Sequence, residues 1–595
     1  MAWADKSSAP LTGKAARVAA WALYLIVFTS GGVLMGVEIA GSRVLAPNFG
    51  TSIFVWGSLI GLFMGAMALG YYVGGSLADR KPSFAVLSTI VSLAGVYTFL
   101  FIPYSGWHVC EYIAQQITDR AAGPLLAAGV LFFVPSFLMA MVSPFAIKLN
   151  TESLAGVGGV AGKLYALSTT GSIVGTLVTT FALIPLFKVS NVLQGLGVVL
   201  LIVAVLALVL FKSAVTGFDR SDRNGVAVLT LIALGCIEMW AIWPVQPHVA
   251  ACQRLLMYDE SSYHDIAVTE EVRWGSRLLP PPEVPRWLKF NEMRESGIFP
   301  YCGRYLNAVE YTDLLHLALV WVPKPKSLLV VGGGGGVVPT QFRLHYGTRT
   351  PETLSPSLAK VDVLELDEKV RDVAVKYFHA NGSEFQIGDA RMNLRLLEGP
   401  YDIILLDAYS AGGQIPFHLL TWEFLKEVKD KLSPDHGVLI TNIIAAVENE
   451  GAVGDRPADL LFAEIKTLTA TPDDCSSVRE RLFTPEQVYI FPKVSPGRKL
   501  FGSETEYRNV IVFAVRQEKR LAPDEIVEAV KTFSNARPEK QRVAPKLLEW
   551  YARCLYTDGP KQADLDAVPV LRDDYAPVDT MYRPIKRDEM TWRRN

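Results

Sequence analysis

Charged residues are scarce. They make up 19% of the 595 residues, against 50% hydrophobic ones, where soluble chains carry roughly a quarter charged residues. Mean hydropathy is positive, +0.26. This argues against a wholly soluble protein and against a disordered one. Basic excess is absent. The net charge is −2, which offers a nucleic acid nothing to hold, and no nucleic-acid partner is expected. Cysteine is sparse too. The six thiols, at positions 110, 236, 252, 302, 475 and 554, form no CxxC, and no HExxH occurs. No metal site and no redox pair is expected.

The missing charge is missing mainly from the first part of the chain. No Asp, Glu, Lys or Arg occurs over 44–78, 82–110, 121–147, 164–187 or 189–211. Each gap exceeds or matches the roughly 20 residues that cross a bilayer. A span at about Val18–Glu38 precedes them and one at about Val226–Trp243 follows. Seven spans are therefore expected. The first lacks a cleavage site followed by soluble sequence and reads as an anchor. The expected organisation is a tail over 1–17, a transmembrane region over 18–250, a β-rich lead-in over 251–325 and an α/β domain over 326–595. A Pro-rich turn falls at Pro280–Pro285.

Small residues recur every four positions at Gly57, Gly61 and Gly65, at Gly70 and Gly74, and at Gly171 and Gly175. That spacing suits close helix packing. Glu38 and Glu238 lie near span ends, where an acid either snorkels or serves a binding role. Their segments, Gly36–Ile39 and Cys236–Met239, are faintly alike, as a truncated repeat would be. The stretch Gly74-Gly75-Ser76-Leu77-Ala78-Asp79-Arg80-Lys81 resembles a cytoplasmic loop of major facilitator transporters. Lys6, Lys14, Arg17, Arg80, Lys81, Lys148, Lys163, Lys212, Arg220 and Arg223 share one side of the topology, against Arg43, Arg120 and Lys188 on the other. The positive-inside rule puts the N-terminus in the cytoplasm. A multi-pass protein of the inner membrane is expected, with the bilayer as its partner. Seven crossings would leave the C-terminal domain outside, whereas a nucleoside-using domain belongs inside. A count off by one and an external domain both stay open.

From Ser327 the pattern changes. Short apolar strands are expected at Ser327–Val331, Lys360–Leu366, Glu384–Ile387, Tyr401–Leu406 and Gly437–Asn442, with helices at about Asp367–Phe378 and Leu420–Leu432. Such alternation implies a parallel, doubly wound sheet, whose ligands bind at the carboxyl ends of its strands. Four features fall at those ends. Gly332 through Gly336 follow the first strand, where glycines let the backbone approach a ligand. Glu365 ends the second strand and can accept both hydroxyls of a ribose. It lies roughly 30 residues past the glycines rather than the usual ~20, and an inserted loop at Thr348–Ser357 would account for the excess. Gly388-Asp389-Ala390 ends the third strand, where Asp389 can meet an adenine amino group. Asp407-Ala408-Tyr409 ends the fourth. Each acid alone is as readily a helix cap or a loop charge. All four in order point to a nucleoside site.

Val361–Phe378 (VDVLELDEKVRDVAVKYF), LLVVGGGGG, IGDA and YDIILLDAYSAGGQIPFHLLTWEF resemble successive motifs of the spermidine synthase family. The last motif, with Gly31–Arg43 and Gly65–Arg80, is most similar to a membrane-fused branch of that family, major-facilitator-like in its first part. Leu571-Arg572-Asp573-Asp574-Tyr575-Ala576-Pro577 resembles the closing segment. The resemblance implies a multi-span helical membrane region followed by a doubly wound, class I methyltransferase-like and spermidine-synthase-like domain with a small β-rich lead-in. It implies aminopropyl transfer from decarboxylated S-adenosylmethionine to a small amine. Asp407 would be the base that takes the ammonium proton. Gly332, Gly333, Gly334, Gly336, Glu365, Asp389 and Ala390 would hold the nucleoside. Tyr263, Glu295, Tyr311, Asp313 and Tyr409 would face the substrate. A homodimer or a membrane-complex subunit is implied as the assembly.

Two departures matter. The family's glycine loop carries an Asp where Gly335 stands, and no second Asp follows Asp407 in Asp407-Ala408-Tyr409-Ser410-Ala411. Two alternatives stay open beside the aminopropyltransferase. One is an S-adenosylmethionine-dependent methyltransferase acting on a membrane-delivered substrate. The other is a non-catalytic, transporter-like or complex-forming membrane subunit with a degenerate nucleotide-binding domain.

Overall fold

The computed structural model describes residues 14–581 except 51, 118, 120, 152–156, 215–219, 243–252, 262, 272–283, 291–292, 302–306, 348–356, 410–414, 450–455, 493–506 and 536–544. Most of the expected N-terminal tail, the insertion at 348–356, most of the Pro-rich turn and the Ser410–Ala411 pair lie outside the described residues. The chain divides into two compact units, residues 1–248 with 260–262, and residues 249–259 with 263–595.

The first unit is helical. Among the described residues six helices are long and apolar enough to cross a membrane: Arg17–Phe49, Ile53–Arg80, Phe84–Gln116, Ala122–Asn150, Val157–Leu186 and Val189–Lys212. The seventh expected span falls on the helix Arg220–Ile242, whose described apolar part, Gly225–Trp240, is shorter than the other six. Glycine sets the closest approaches. A Cβ on Gly171 would run into the Phe28 carbonyl, and one on Gly175 into that of Gly32. Gly74 meets Met141 in the same way. Gly57, Gly61 and Gly65 differ: a Cβ on any of them meets nothing within 4 Å. Four-residue spacing shows that residues share a helix face, but not that another helix covers it.

The second unit opens with a four-stranded antiparallel sheet in the order β1 (Gln253–Glu260), β2 (Asp265–Glu271), β3 (Arg286–Phe290), β4 (Met293–Ile298). A seven-stranded sheet follows, built from β5 (Ser327–Val331), β6 (Lys360–Glu365), β7 (Glu384–Ile387), β8 (Ile403–Leu406), β9 (Val438–Ala445), β10 (Val488–Pro492) and β11 (Arg508–Val515). Their spatial order is β10-β11-β9-β8-β5-β6-β7. β5 to β9 pair in parallel. The expectation of a wholly parallel sheet needs correction, because β11 runs antiparallel to both β9 and β10. β5 and β8 are buried along their whole length, as strands covered on both faces must be.

Local chemistry starts and stops the flanking helices. Asp367 caps Glu368–Phe378 by accepting from the Lys369 amide at 3.0 Å, and His379 ends the helix at φ 60°. Val370, Val373, Ala374 and Phe378 form its buried face, the spacing of one helical stripe. Thr421 caps Trp422–Lys431, which buries Trp422, Phe424, Leu425 and Val428. From β5 the chain turns one way to β6 and β7, then returns to lay β8 and β9 on the other side. The switch point lies between β5 and β8, the usual crevice of such sheets.

Gly336, at φ +63°, has the Ala380 side chain where its own Cβ would stand. Gly336→Ala therefore adds backbone strain to a collision, and we expect a loss of about 1–3 kcal/mol, read as a fall in the denaturation midpoint of the detergent-solubilised chain. A midpoint equal to that of the unsubstituted chain contradicts this.

Candidate functional site

The loop after β5 is shaped by what surrounds it. Gly332 adopts φ +98°, and any Cβ there would strike the Asp407 backbone. The Gly333 and Gly334 amides donate to Glu365 Oε2 at 3.0 and 3.1 Å, and the Asp367 amide donates to Oε1 at 3.0 Å. Burial pushes the Glu365 carboxyl up to about 7, against the lowering effect of those three amides. Ser296 of β4 crosses the loop. Its Oγ accepts from the Gly335 amide at 3.0 Å, and a Cβ on Gly335 would lie 2.7 Å from the Ser296 Cβ. This gives the first departure a steric reason, because β4 fills the space an Asp side chain would need.

Adjacent strand ends bring the next acid close. The Gly388 amide donates to the Glu365 carbonyl at 2.9 Å. Asp389 caps the helix Ala390–Leu396, accepting from the Met392 amide at 3.0 Å, and its other oxygen lies 3.1 Å from His418 Nε2. The carboxylate assigned to adenine thus has a cap and a histidine as its partners here. Ala390 opens that helix. Next to it, Arg391 donates to Glu427 and Asp573, and Arg572 donates to Glu423. The Leu571–Pro577 segment is thereby clasped to the helices beside the third and fourth strand ends.

Asp407 follows β8, half-buried and held on both oxygens. Tyr311 donates its hydroxyl to Oδ2 at 2.7 Å, and Asn442 of β9 donates Nδ2 to Oδ1 at 2.8 Å. Asn509 of β11 donates to Asn442 Oδ1 at 3.0 Å and so fixes which end of the Asn442 amide faces Asp407. Burial raises the Asp407 pKa, while the Asn442 and Tyr311 hydrogen bonds oppose the rise. Burial and the Asp407 charge push Glu295 of β4 up to about 8. Glu295 therefore keeps its proton near neutrality. Tyr311, raised by burial and by Asp407, stays a donor. A half-buried carboxylate with two fixed donors and free lone pairs can bind an ammonium and accept its proton.

The other substrate candidates lie differently. The Tyr409 hydroxyl donates to the Asn442 carbonyl at 2.7 Å and accepts from the Ile444 amide at 3.1 Å, so it anchors the loop to β9. Asp313 is buried and accepts from Asn307 at 3.1 Å. Tyr263 is 42% exposed, with its ring 6.5 Å from that of His264. Sequence reasoning missed Asn442, Ser296, His418 and Glu464. Glu464 is fully buried on the helix Asp459–Thr469, and burial pushes it up to about 7. The available signals were polar Thr441 and Asn442 inside an apolar strand, and one acid on an otherwise apolar helix face.

The sheet order and the acids at its switch point define a class I methyltransferase-like domain. The family model described as the spermine/spermidine synthase domain matches residues 308–450. It is 38% identical over 200 residues to a polyamine aminopropyltransferase of Vibrio vulnificus (strain CMCP6), covering 32% of this chain and 60% of that one. It is 28% identical over 214 residues to putrescine N-methyltransferase 2 of Nicotiana attenuata, covering 34% and 50%. It is 27% identical over 213 residues to spermidine synthase 1 of Pisum sativum, covering 34% and 55%. All three names are those of transferases. The chain spans between half and 60% of the length of these curated relatives. Among solved structures, a spermidine synthase with the transition-state analogue AdoDATO aligns at a TM-score of 0.34 and 17% identity, over 53% of this chain and 89% of that one.

Glu365, Glu464 and Glu295 all have folded-state pKa values raised above 4.5. Between that value and the raised one, the folded chain holds protons that the unfolded chain has released. Their stabilising contribution is full at low pH and is lost as pH rises through about 7 to 8. The thermal midpoint should fall between about pH 5 and about pH 8.5, and less steeply in Glu464→Gln. An equally steep fall in that variant contradicts the assignment.

Proposed function

We propose that this domain transfers an aminopropyl group from decarboxylated S-adenosylmethionine to a small amine, as a membrane-anchored enzyme of polyamine chemistry. The observation that carries this reading is Asp407, held by Tyr311 and Asn442 at the switch point, one strand from the glycine loop and two from Glu365. The residues fit the co-substrate. Glu365 is a buried acceptor for ribose hydroxyls at the tip of β6. The matched domain and the relative from Vibrio vulnificus support the same class.

Chemically, the acceptor arrives as an ammonium and binds Asp407. Asp407 takes one proton, which frees the nitrogen lone pair. The nitrogen attacks the propyl carbon next to the sulfonium. The C–N bond forms, the C–S bond breaks, and the thioether leaves with the electron pair. The donor is already activated, so holding the two reactants in line does most of the remaining work.

Methyl transfer from intact S-adenosylmethionine to an amine is the second reading. The observation favouring it is Ser296 over Gly335, which leaves no carboxylate there for a donor amine. A relative named putrescine N-methyltransferase fits this reading too. We also propose that six helices cross the inner membrane, so that an even count returns the catalytic domain to the cytoplasmic side of the N-terminus. Six apolar helices support this. A reporter fused after Asn595 should be active only in its cytoplasmic form, and a periplasmic signal rejects it.

Asp407→Asn should lower the transfer rate by about 10²- to 10⁴-fold and leave nucleoside affinity unchanged. Unchanged turnover removes the mechanism. Thermal shift with decarboxylated against intact S-adenosylmethionine separates the two donors: a larger shift with the intact form favours methyl transfer.

A further inference from the structure

Of the six long helices, the most buried is the most apolar and the least buried is the least apolar. Val189–Lys212, the sixth, has 61% of its apolar stretch buried and a mean hydropathy of 2.9, whereas Val157–Leu186, the fifth, has 11% and 1.5. A bilayer asks for the opposite order, because the surface that meets lipid must be the apolar one. Ile53–Arg80, the second helix, is the next most open, with 28% buried. Its uncovered face carries Gly57, Gly61, Gly65 and Ala68, and a Cβ on any of the three glycines meets nothing within 4 Å. The uncovered face of the fifth helix carries an exposed residue at every fourth position: Tyr165, Thr169, Ile173, Leu177 and Phe181. Thr170 and Thr180 are exposed beside them. Bare glycines and threonines suit helix packing better than lipid, and Ile173, Leu177 and Phe181 do not suit water. Protein satisfies both.

The two faces complement each other. Consecutive spans run in opposite directions, so the second begins at the end of the bundle where the fifth finishes. Contacts with the first helix agree: Gly36 meets Thr179 and Gly41, further along, meets Leu59. Counted from that shared end, Gly57, Gly61 and Gly65 lie at the depths of Phe181, Leu177 and Ile173 to within one residue. Tyr71 and Tyr165 lie close enough to interact electrostatically, which sets the two faces side by side. One face is a groove and its neighbour a ridge, and both repeat every four residues, the condition for ridges to enter grooves. A two-fold axis along the membrane normal preserves depth and brings the second helix of each copy opposite the fifth of the other. We infer that a second copy of this chain covers this face, with Ile173, Leu177 and Phe181 of each copy lying in the glycine groove of the other. The assignment rests on the membrane-crossing reading and is independent of the transfer chemistry.

Cysteine cross-linking in isolated membranes tests this, with two differently tagged copies of the full chain produced together. Gly61→Cys in one and Leu177→Cys in the other should give, on mild oxidation, a covalent dimer that carries both tags. Gly61→Cys paired with Leu206→Cys, exposed on the sixth helix, should give none. Gly61→Leu should fill the groove and turn the detergent-solubilised dimer into a monomer of half the mass, read by light scattering. Its thermal transition should stay cooperative, because a Cβ there meets nothing within 4 Å in its own copy. Absence of the two-tag dimer in membranes overturns the assignment. So does a dimer that survives Gly61→Leu, or one that forms equally through Leu206→Cys. A cross-linked band with one tag and a foreign mass gives the face to a different protein and overturns it too. Recovery of the chain in the soluble fraction removes the membrane reading and the assignment together; every other outcome leaves the membrane reading standing.

Discussion

A carboxylate that must take a proton from an ammonium needs burial to want the proton and fixed donors to stay where the ammonium arrives. Asp407 has both. Tyr311 reaches it from the short helix before the sheet, and Asn442 reaches it from the neighbouring strand. Burial raises its pKa, and the two hydrogen bonds keep the rise in check. Without Asn442 the carboxyl would lose one of its two hydrogen-bond partners. Without Tyr311 the loop would lose its tie to the lead-in half of the domain. Asn509 extends the support one strand further and settles the orientation of the Asn442 amide.

The glycine loop obeys a steric constraint of the same kind. Its residues are glycine because neighbours occupy the Cβ positions: the Asp407 backbone at Gly332, Ser296 at Gly335 and Ala380 at Gly336. The loop's amides face the Glu365 carboxyl, so the acid at one strand end organises the turn at another. Gly332 lies against the Asp407 backbone, and Ser296 follows Glu295 on β4.

Much of this was legible in the sequence. Apolar runs that end in Glu365, Asp389 and Asp407 gave the strand ends, and the strand-to-helix alternation gave the parallel core. The rest depended on long-range register. Nothing local says that Asn442 lies beside Asp407, because only the pairing of β8 with β9 puts it there. Nothing local turns β11 antiparallel. Asp389 shows the converse: a residue read as a ligand contact also satisfies the simplest local demand, capping the helix that follows it. Glu464 sits in the core only through the packing of its helix, which no local pattern states.

The central claim is a crevice that holds an adenosyl group through Glu365 at the tip of β6. Equilibrium binding of decarboxylated S-adenosylmethionine to the unsubstituted chain and to Glu365→Ala tests it most directly. Saturable binding by the former and its loss in the latter, with the thermal transition of the variant still cooperative, is the result this account predicts. Equal affinity in the two chains would contradict it.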